Sequence, residues 1–233
     1  MGWWITDLLN DPNINGRVWV VSWIVWVIGS ICLHELAHGW TAIKLGDDTP
    51  IATGHMTWNP MVHMGMHSLL IFIFIGIAWG MMPINPSRLR GRYAESVVSV
   101  AGPLMNLALA VLSLVSLILW VPLAQGQLIG SVTISHPLSE NMRTFLHLGA
   151  MLNIVLMLFN LLPIPPLDGG RIAMDIFPRY RLAMESESAR WMVLGLFVLL
   201  FVFGGSLMFI FASLSVEGIS DAAWSLFFPN LDR

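Results

Sequence analysis

The stretch Cys32-Leu33-His34-Glu35-Leu36-Ala37-His38-Gly39 decides how the rest of the chain is read. It contains His-Glu-x-x-His and lies within an apolar run over residues 18–45. A membrane span needs about 20 apolar residues, so this run predicts a membrane-crossing helix. Side chains four apart on a helix share a face, so the imidazoles of His34 and His38 can reach one metal ion. Glu35 follows His34 by about 100° round the helix. From there it can hold a water beside the metal and act as general base. A carboxylate near the middle of a span costs roughly 2.5–3.5 kcal/mol on insertion scales, so Glu35 calls for a function. The competing reading is a polar trio that packs helices through interhelical hydrogen bonds.

Composition agrees with a membrane setting. The chain has 233 residues, 56% hydrophobic and 11% charged, with a mean hydropathy of +0.75. Soluble domains carry about 25% charged residues. The expectation is a single membrane-embedded domain over residues 1–233, in contact with the lipid bilayer. A net charge of −3 with no dense basic patch argues against a nucleic-acid partner. The lone Cys32 excludes an intrachain disulfide. It points away from the histidine face and reads as a packed core thiol. Residues 1–16 lack a basic start and contain Asp7 and Asp11, so no cleavable signal peptide is expected. Trp3 and Trp4 suit the interface, and Asp11-Pro12-Asn13 signals a turn.

Further spans are expected over residues 94–121, 144–162 and 191–214, with an interfacial helix in the polar-aromatic tail 216–233. The fold class is an all-α polytopic membrane protein with about four transmembrane helices. In the loop after the first helix, Thr53, His55 and Thr57 alternate with Gly54, Met56 and Trp58. This period of two predicts a short β-hairpin there, ended by Asn59-Pro60. Residues 68–82 are apolar but only 15 long, short of a span, and read as a re-entrant or interfacial segment. If they dip in and return, both termini lie outside. Lys44, Arg88, Arg90, Arg92, Arg171, Arg179, Arg181 and Arg190 then fall inside, 8 of the 11 basic residues. A spanning 68–82 would separate Lys44 from the three arginines that follow, against the positive-inside rule. His34 lies ten residues before Lys44, roughly 15 Å from the cytoplasmic surface at 1.5 Å per residue.

A third ligand is available. Asp168 follows Pro163, Pro165 and Pro166, which break the preceding helix. Irregular backbone at membrane depth is tolerated where it lines a cavity or is buried in protein. His34, His38, Asp168 and a water would make a catalytic zinc site with one open position. Alternatively Asp168 is an N-cap for a helix over residues 169–177; the intramembrane His-Glu-x-x-His favours ligation. His55, His63 and His67 read as structural or solvated side chains.

His34-Glu35-Leu36-Ala37-His38 and Asn160-Leu161-Leu162-Pro163-Ile164-Pro165-Pro166-Leu167-Asp168-Gly169-Gly170 resemble the two motifs of the site-2 protease family of intramembrane zinc metalloproteases. Ala101-Gly102-Pro103-Leu104-Met105-Asn106 is similar to an element of that family's middle helix. Thr57-Trp58-Asn59-Pro60 and Trp79-Gly80-Met81-Met82-Pro83-Ile84-Asn85-Pro86 resemble elements of its short branch without PDZ or CBS domains. The chain departs from that branch at His63-Met64-Gly65 and around Met81-Met82. The resemblance implies one Zn2+ per chain on His34, His38 and Asp168, with Glu35 as catalytic base. It also implies that Asn106 and Asn160 position the substrate or polarise the scissile carbonyl. The expected activity is zinc-dependent hydrolysis of peptide bonds in or near transmembrane segments of a membrane-protein substrate, at a site nearer the cytoplasmic side. Residues 53–58 would then offer an edge to an unwound substrate. The rival class is a non-hydrolytic metal carrier or sensor. Fifteen methionines and seven histidines give it footing, but such a protein has no need of Glu35.

Overall fold

A computed structural model describes residues 4–12, 14–128 and 134–229. Trp3, Asn13 and Arg233 lie outside the described residues. A short helix α1 (Trp4–Leu9) precedes α2 (Gly16–Lys44), which carries the His-Glu-x-x-His stretch. One turn, α3 (Thr49–Ala52), and a kinked helix, α4 (Pro60–Ile75), follow. Next come α5 (Ala94–Ala124) and α6 (His136–Asn160), then α7 (Asp168–Ile176) and α8 (Pro178–Met184). The chain ends in α9 (Glu187–Leu199), a π-turn over Leu200–Gly204 and α10 (Gly205–Phe227). Among the described residues, α2, α5, α6 and α10 are long and apolar enough to cross a membrane. The all-α class and the number of candidate spans match expectation.

Helices α2, α5 and α6 pack as a bundle, and α10 lies against α5 and α6. One core gathers Leu117, Leu148, Met151, Val155, Ala212 and Val216. A second gathers Val27, Ile31, Met64, Phe72 and Leu152, and joins α4 to the face of α2 that leads into the metal motif. Gly149 lets α6 approach closely: a methyl there would strike the Trp26 indole of α2. The side chains of Asn15 and Asn141 meet at 3.3 Å, so α2 and α6 begin at the same end and run parallel, with α5 returning between them.

Three expectations need correction. Residues 53–58 form no strand; no strand occurs among the described residues. Asp47 accepts from the Thr49 N–H at 3.0 Å and opens the helical turn α3 instead, with Thr53 bonded back to Thr49. Local hydrogen bonds satisfy this backbone without a partner strand, and the alternating pattern had none to pair with.

Residues 68–82 are not one unit either. Asn59-Pro60 starts a helix: the Asn59 side chain caps the Met61 N–H at 3.0 Å and Pro60 occupies the first turn. Helix α4 therefore absorbs half of the expected loop, kinks at Gly65 and stops at Gly76, whose φ of 85° suits glycine. Residues 77–85 are then irregular, without helix or ladder. They run back beside α4, with the Met81 N–H on the His63 carbonyl at 2.9 Å. The Ser68 hydroxyl bridges the Trp79 N–H and C=O at 2.9 and 2.7 Å.

The last span runs on past its expected end: residues 191–214 are helical throughout, across α9, the π-turn and the start of α10, and the helix continues to Phe227. No glycine cap or proline ends the helix at Leu214, and Ser215 turns its hydroxyl back to the Phe211 carbonyl at 2.7 Å. Val216 is fully buried and Trp224 is buried too. The expected interfacial tail is, as far as Phe227, the packed second half of α10.

Candidate metal centre

His34 and His38 sit one turn apart on α2, their rings edge to face with centroids 4.6 Å apart. Asp168 arrives from another part of the chain. After α6 the segment Leu161–Leu167 turns sharply, and Gly169 and Gly170 lie so close to its backbone that a Cβ on either would collide with it. Asp168 is the first residue of α7 and Leu167 the cap position, so Asp168 is not the N-cap. Helix α7 is held to α5 by Asp175, which accepts from the N–H and the hydroxyl of Ser96 at 3.0 and 2.6 Å. That attachment aims the Asp168 carboxylate at the histidines.

The three ligand atoms form a nearly equilateral triangle. The two Nε2 atoms are 3.0 Å apart. The Asp168 Oδ2 lies 3.1 Å from His34 Nε2 and 3.2 Å from His38 Nε2. A tetrahedral zinc with ligands at about 2.0–2.1 Å has ligand-to-ligand edges of about 3.3 Å. All three residues are buried, 4–7% exposed. Among the described residues this is the only group of three or more potential ligands in such proximity. His55, His63 and His67 stand apart from it: His55 contacts Thr53, His63 faces the Thr57 carbonyl through Nε2 at 2.6 Å, and His67 is exposed.

The far sides of the rings fix the tautomers. His38 Nδ1 lies 2.7 Å from the Val98 carbonyl, which only accepts, so Nδ1 carries the hydrogen. His34 Nδ1 lies 2.6 Å from the Asn106 Oδ1. Both Nε2 lone pairs therefore point at Asp168. Three acceptors converge: a cation at their centre satisfies all three, whereas a proton on either nitrogen does not. Gly102 of α5 closes the open side, where a Cβ would overlap the Nε2 atoms of both histidines. The donor set, the spacing and this cradle fit a zinc ion.

Glu35 is 7% exposed and its carboxylate makes no hydrogen bond with the described residues. Gly80, in the returning segment, lies against it, and a Cβ there would meet Oε1 at 2.5 Å. Asn160, in the last turn of α6, donates to the Leu156 carbonyl at 3.0 Å, and its Oδ1 has no hydrogen-bond partner among the described residues. Asn106 is different: it is fully buried, with Oδ1 on His34 and Nδ2 on Asn153 Oδ1 at 3.0 Å. Asn153 is not singled out by the sequence, where its signal is a second amide in the apolar span, two turns before Asn160. Cys32 is buried and takes no part.

Residues 22–203 match the model of peptidase family M50. A Bacillus subtilis protein named "Putative zinc metalloprotease YwhC" is 36% identical over 157 residues, covering 66% of this chain and 68% of its own. "Putative zinc metalloprotease Rip2" of Mycolicibacterium smegmatis is 30% identical over 209 residues, 86% of this chain and 73% of its own. "Putative zinc metalloprotease MJ0611" of Methanocaldococcus jannaschii is 29% identical over 168 residues, 72% and 76%. No solved structure matches at a significant level. Four apolar helices, a buried ligand triangle and a family match over most of its length together place this multi-pass membrane chain in peptidase family M50, the site-2 protease family.

Proposed function

We propose that the chain is a zinc-dependent intramembrane endopeptidase, holding one Zn2+ on His34, His38 and Asp168 and cutting peptide bonds in or near transmembrane segments. The observation that carries this is the convergence of three acceptors beside an unpartnered, buried Glu35. When bound, zinc supplies Lewis acidity, polarising a carbonyl and lowering the pKa of a water towards about 7. Glu35 takes the proton from the attacking water and passes it to the leaving amine. Asn160 Oδ1 is free to position substrate, whereas both ends of the Asn106 amide are engaged elsewhere.

A substrate helix must unwind before its amides can be reached, because helical backbone hides them. Residues 77–85 would receive the unwound segment. Trp79 and Met81 bond towards α4, while the backbone groups of the alternate residues Gly80 and Met82 carry no hydrogen bond among the described residues. Gly80 abuts Glu35, so that free edge borders the reacting centre. That edge supports strand addition at 77–85 rather than 53–58. The basic residues then put this end of the bundle on the cytoplasmic side, with α4 and its return entering and leaving there.

The test compares two isosteric carboxylate changes on detergent-purified protein. Glu35→Gln is expected to keep zinc near one per chain and to lose roughly 10²-fold or more in cleavage, the usual scale of acid–base catalysis. Asp168→Asn is expected to lose zinc and cleavage together. Wild-type cleavage by zinc-loaded Glu35→Gln would remove Glu35 as the base and favour a carrier or sensor.

A further inference from the structure

Behind His34 runs a chain of two buried amides, Asn106 and Asn153. The Asn153 Nδ2 donates to the Gly149 carbonyl at 2.9 Å. That carbonyl can only accept, so it determines which end of the Asn153 amide faces it. The Asn153 Oδ1 is thereby turned to α5, where it accepts from Asn106 Nδ2 at 3.0 Å. The Asn106 Oδ1 is turned in its own right to α2, where it faces His34 Nδ1 at 2.6 Å. Each link has one polarity, and the polarity begins at a backbone carbonyl that cannot reverse. Both asparagines are fully buried, where an unpaired amide end loses its hydration without replacement.

We propose that Asn153 is a positioning residue for the metal centre: through Asn106 it holds His34 in the Nδ1–H form, leaving Nε2 open to the metal. The inference rests on the zinc reading of His34, His38 and Asp168 and extends it to a residue that touches neither metal nor substrate. Without Asn153, Asn106 can turn its amide over and present a donor to His34. His34 then favours the Nε2–H form, which cannot ligate. His38 is the internal control, because the Val98 carbonyl fixes its tautomer independently. The device also explains the tight seam of α6 on α2. Gly149, whose carbonyl starts the chain, packs on Trp26, and the Trp26 indole N–H is fixed on the Phe145 carbonyl at 2.8 Å.

The test uses Asn153→Leu in the full chain, with zinc affinity measured by competition with a chelating dye. Ring-15N spectra of histidine-labelled, zinc-stripped protein report the tautomers. Removing a hydrogen-bond partner behind a metal-ligating histidine is expected to weaken zinc binding 10- to 100-fold. The His34 ring should move away from the Nδ1–H form and the His38 ring should not. A purely structural Asn153 would lower the melting temperature of the zinc-free protein and leave affinity and tautomer alone. Unchanged zinc affinity, or an unchanged His34 ring, overturns the proposal. If Asn153→Leu does not fold, Asn153→Ala removes the same amide without added bulk and is judged by the same two readings. Wild-type protein that takes up no zinc would overturn the metal reading itself, and the relay with it.

Discussion

Gly102 has no side chain, and the Nε2 atoms of His34 and His38 need that space. In an ordinary helix interior alanine is better than glycine by about 1 kcal/mol. Gly29 of α2 has no atom within 4 Å of an added Cβ, so Gly29→Ala is expected to leave stability and zinc content intact or improved. Gly102→Ala puts a methyl where the metal ligands converge, and zinc affinity should fall at least tenfold. Equal zinc occupancy in the two variants, measured by elemental analysis, would show that the cradle has slack. The same reasoning applies to Gly80: a side chain there would collide with the Glu35 carboxylate and Ile31.

At the scale of elements, the returning segment 77–85 has no secondary structure of its own and is held at separate points. Ser68 holds Trp79, His63 holds Met81, and Asp47 accepts the Asn85 N–H at 2.7 Å. Asp47 is fully buried just beyond the end of α2. Burial by itself would raise its pKa. The Thr49 hydroxyl, the Asn85 and Thr49 amides and nearby Arg88 outweigh it and hold the carboxyl below its ordinary value. A depressed folded value means that this contribution to stability is present above the unfolded pKa, about 3.9, and is lost as pH falls through the folded value. Asp47→Asn turns a donor towards the Asn85 N–H and is expected to loosen the segment by about 1–3 kcal/mol. Amide exchange at 77–85 should quicken and cleavage should fall, while zinc content stays near wild type. The protection of the Asn85 amide, taken relative to its intrinsic exchange rate, should also no longer fall as Asp47 would titrate. Loss of zinc in this variant would mean that the segment supports the metal centre as well as the substrate.

At the scale of the molecule, one end of the bundle collects the basic residues. The Arg90 N–H bonds to the Leu45 carbonyl at 2.8 Å, Arg88 pairs with Asp48, and Arg181 lies 3.7 Å from Glu95. The end of α2, the start of α5 and the α7–α8 region therefore meet. Arg17 and Arg143 lie near the opposite end, where α2 and α6 begin. A cysteine at position 89 in a Cys32→Ser background is expected to react with impermeant reagents only from the cytoplasmic face. Labelling from the outer face alone would invert the orientation and place the metal centre near the other surface.

The cluster of His34 and His38, and the buried Glu35 beside it, were legible in the sequence because local geometry carries them. Helical spacing puts His34 and His38 on one face, and a charged group in an apolar run has few bland explanations. Asp168 was legible as a carboxylate on broken backbone. What brings it 134 positions back to His34 is tertiary: the Ser96–Asp175 attachment and the close turn at Gly169-Gly170. The helices over 18–45, 94–121 and 144–162 followed from hydrophobicity alone, which is additive along the chain. The loop after the first helix did not. An alternating pattern favours a strand only where a partner strand exists, and here Asp47 bonds the first residue of α3 and Asn59 caps α4. The end of the last helix was not legible, because composition marks where apolar residues lie, whereas burial of Val216 and Trp224 against the bundle accompanies its continuation to Phe227. Asn153 belongs to the structure entirely. A buried amide has meaning only through the groups it faces, and Gly149, Asn106 and His34 come from three helices that only the packed bundle brings into line.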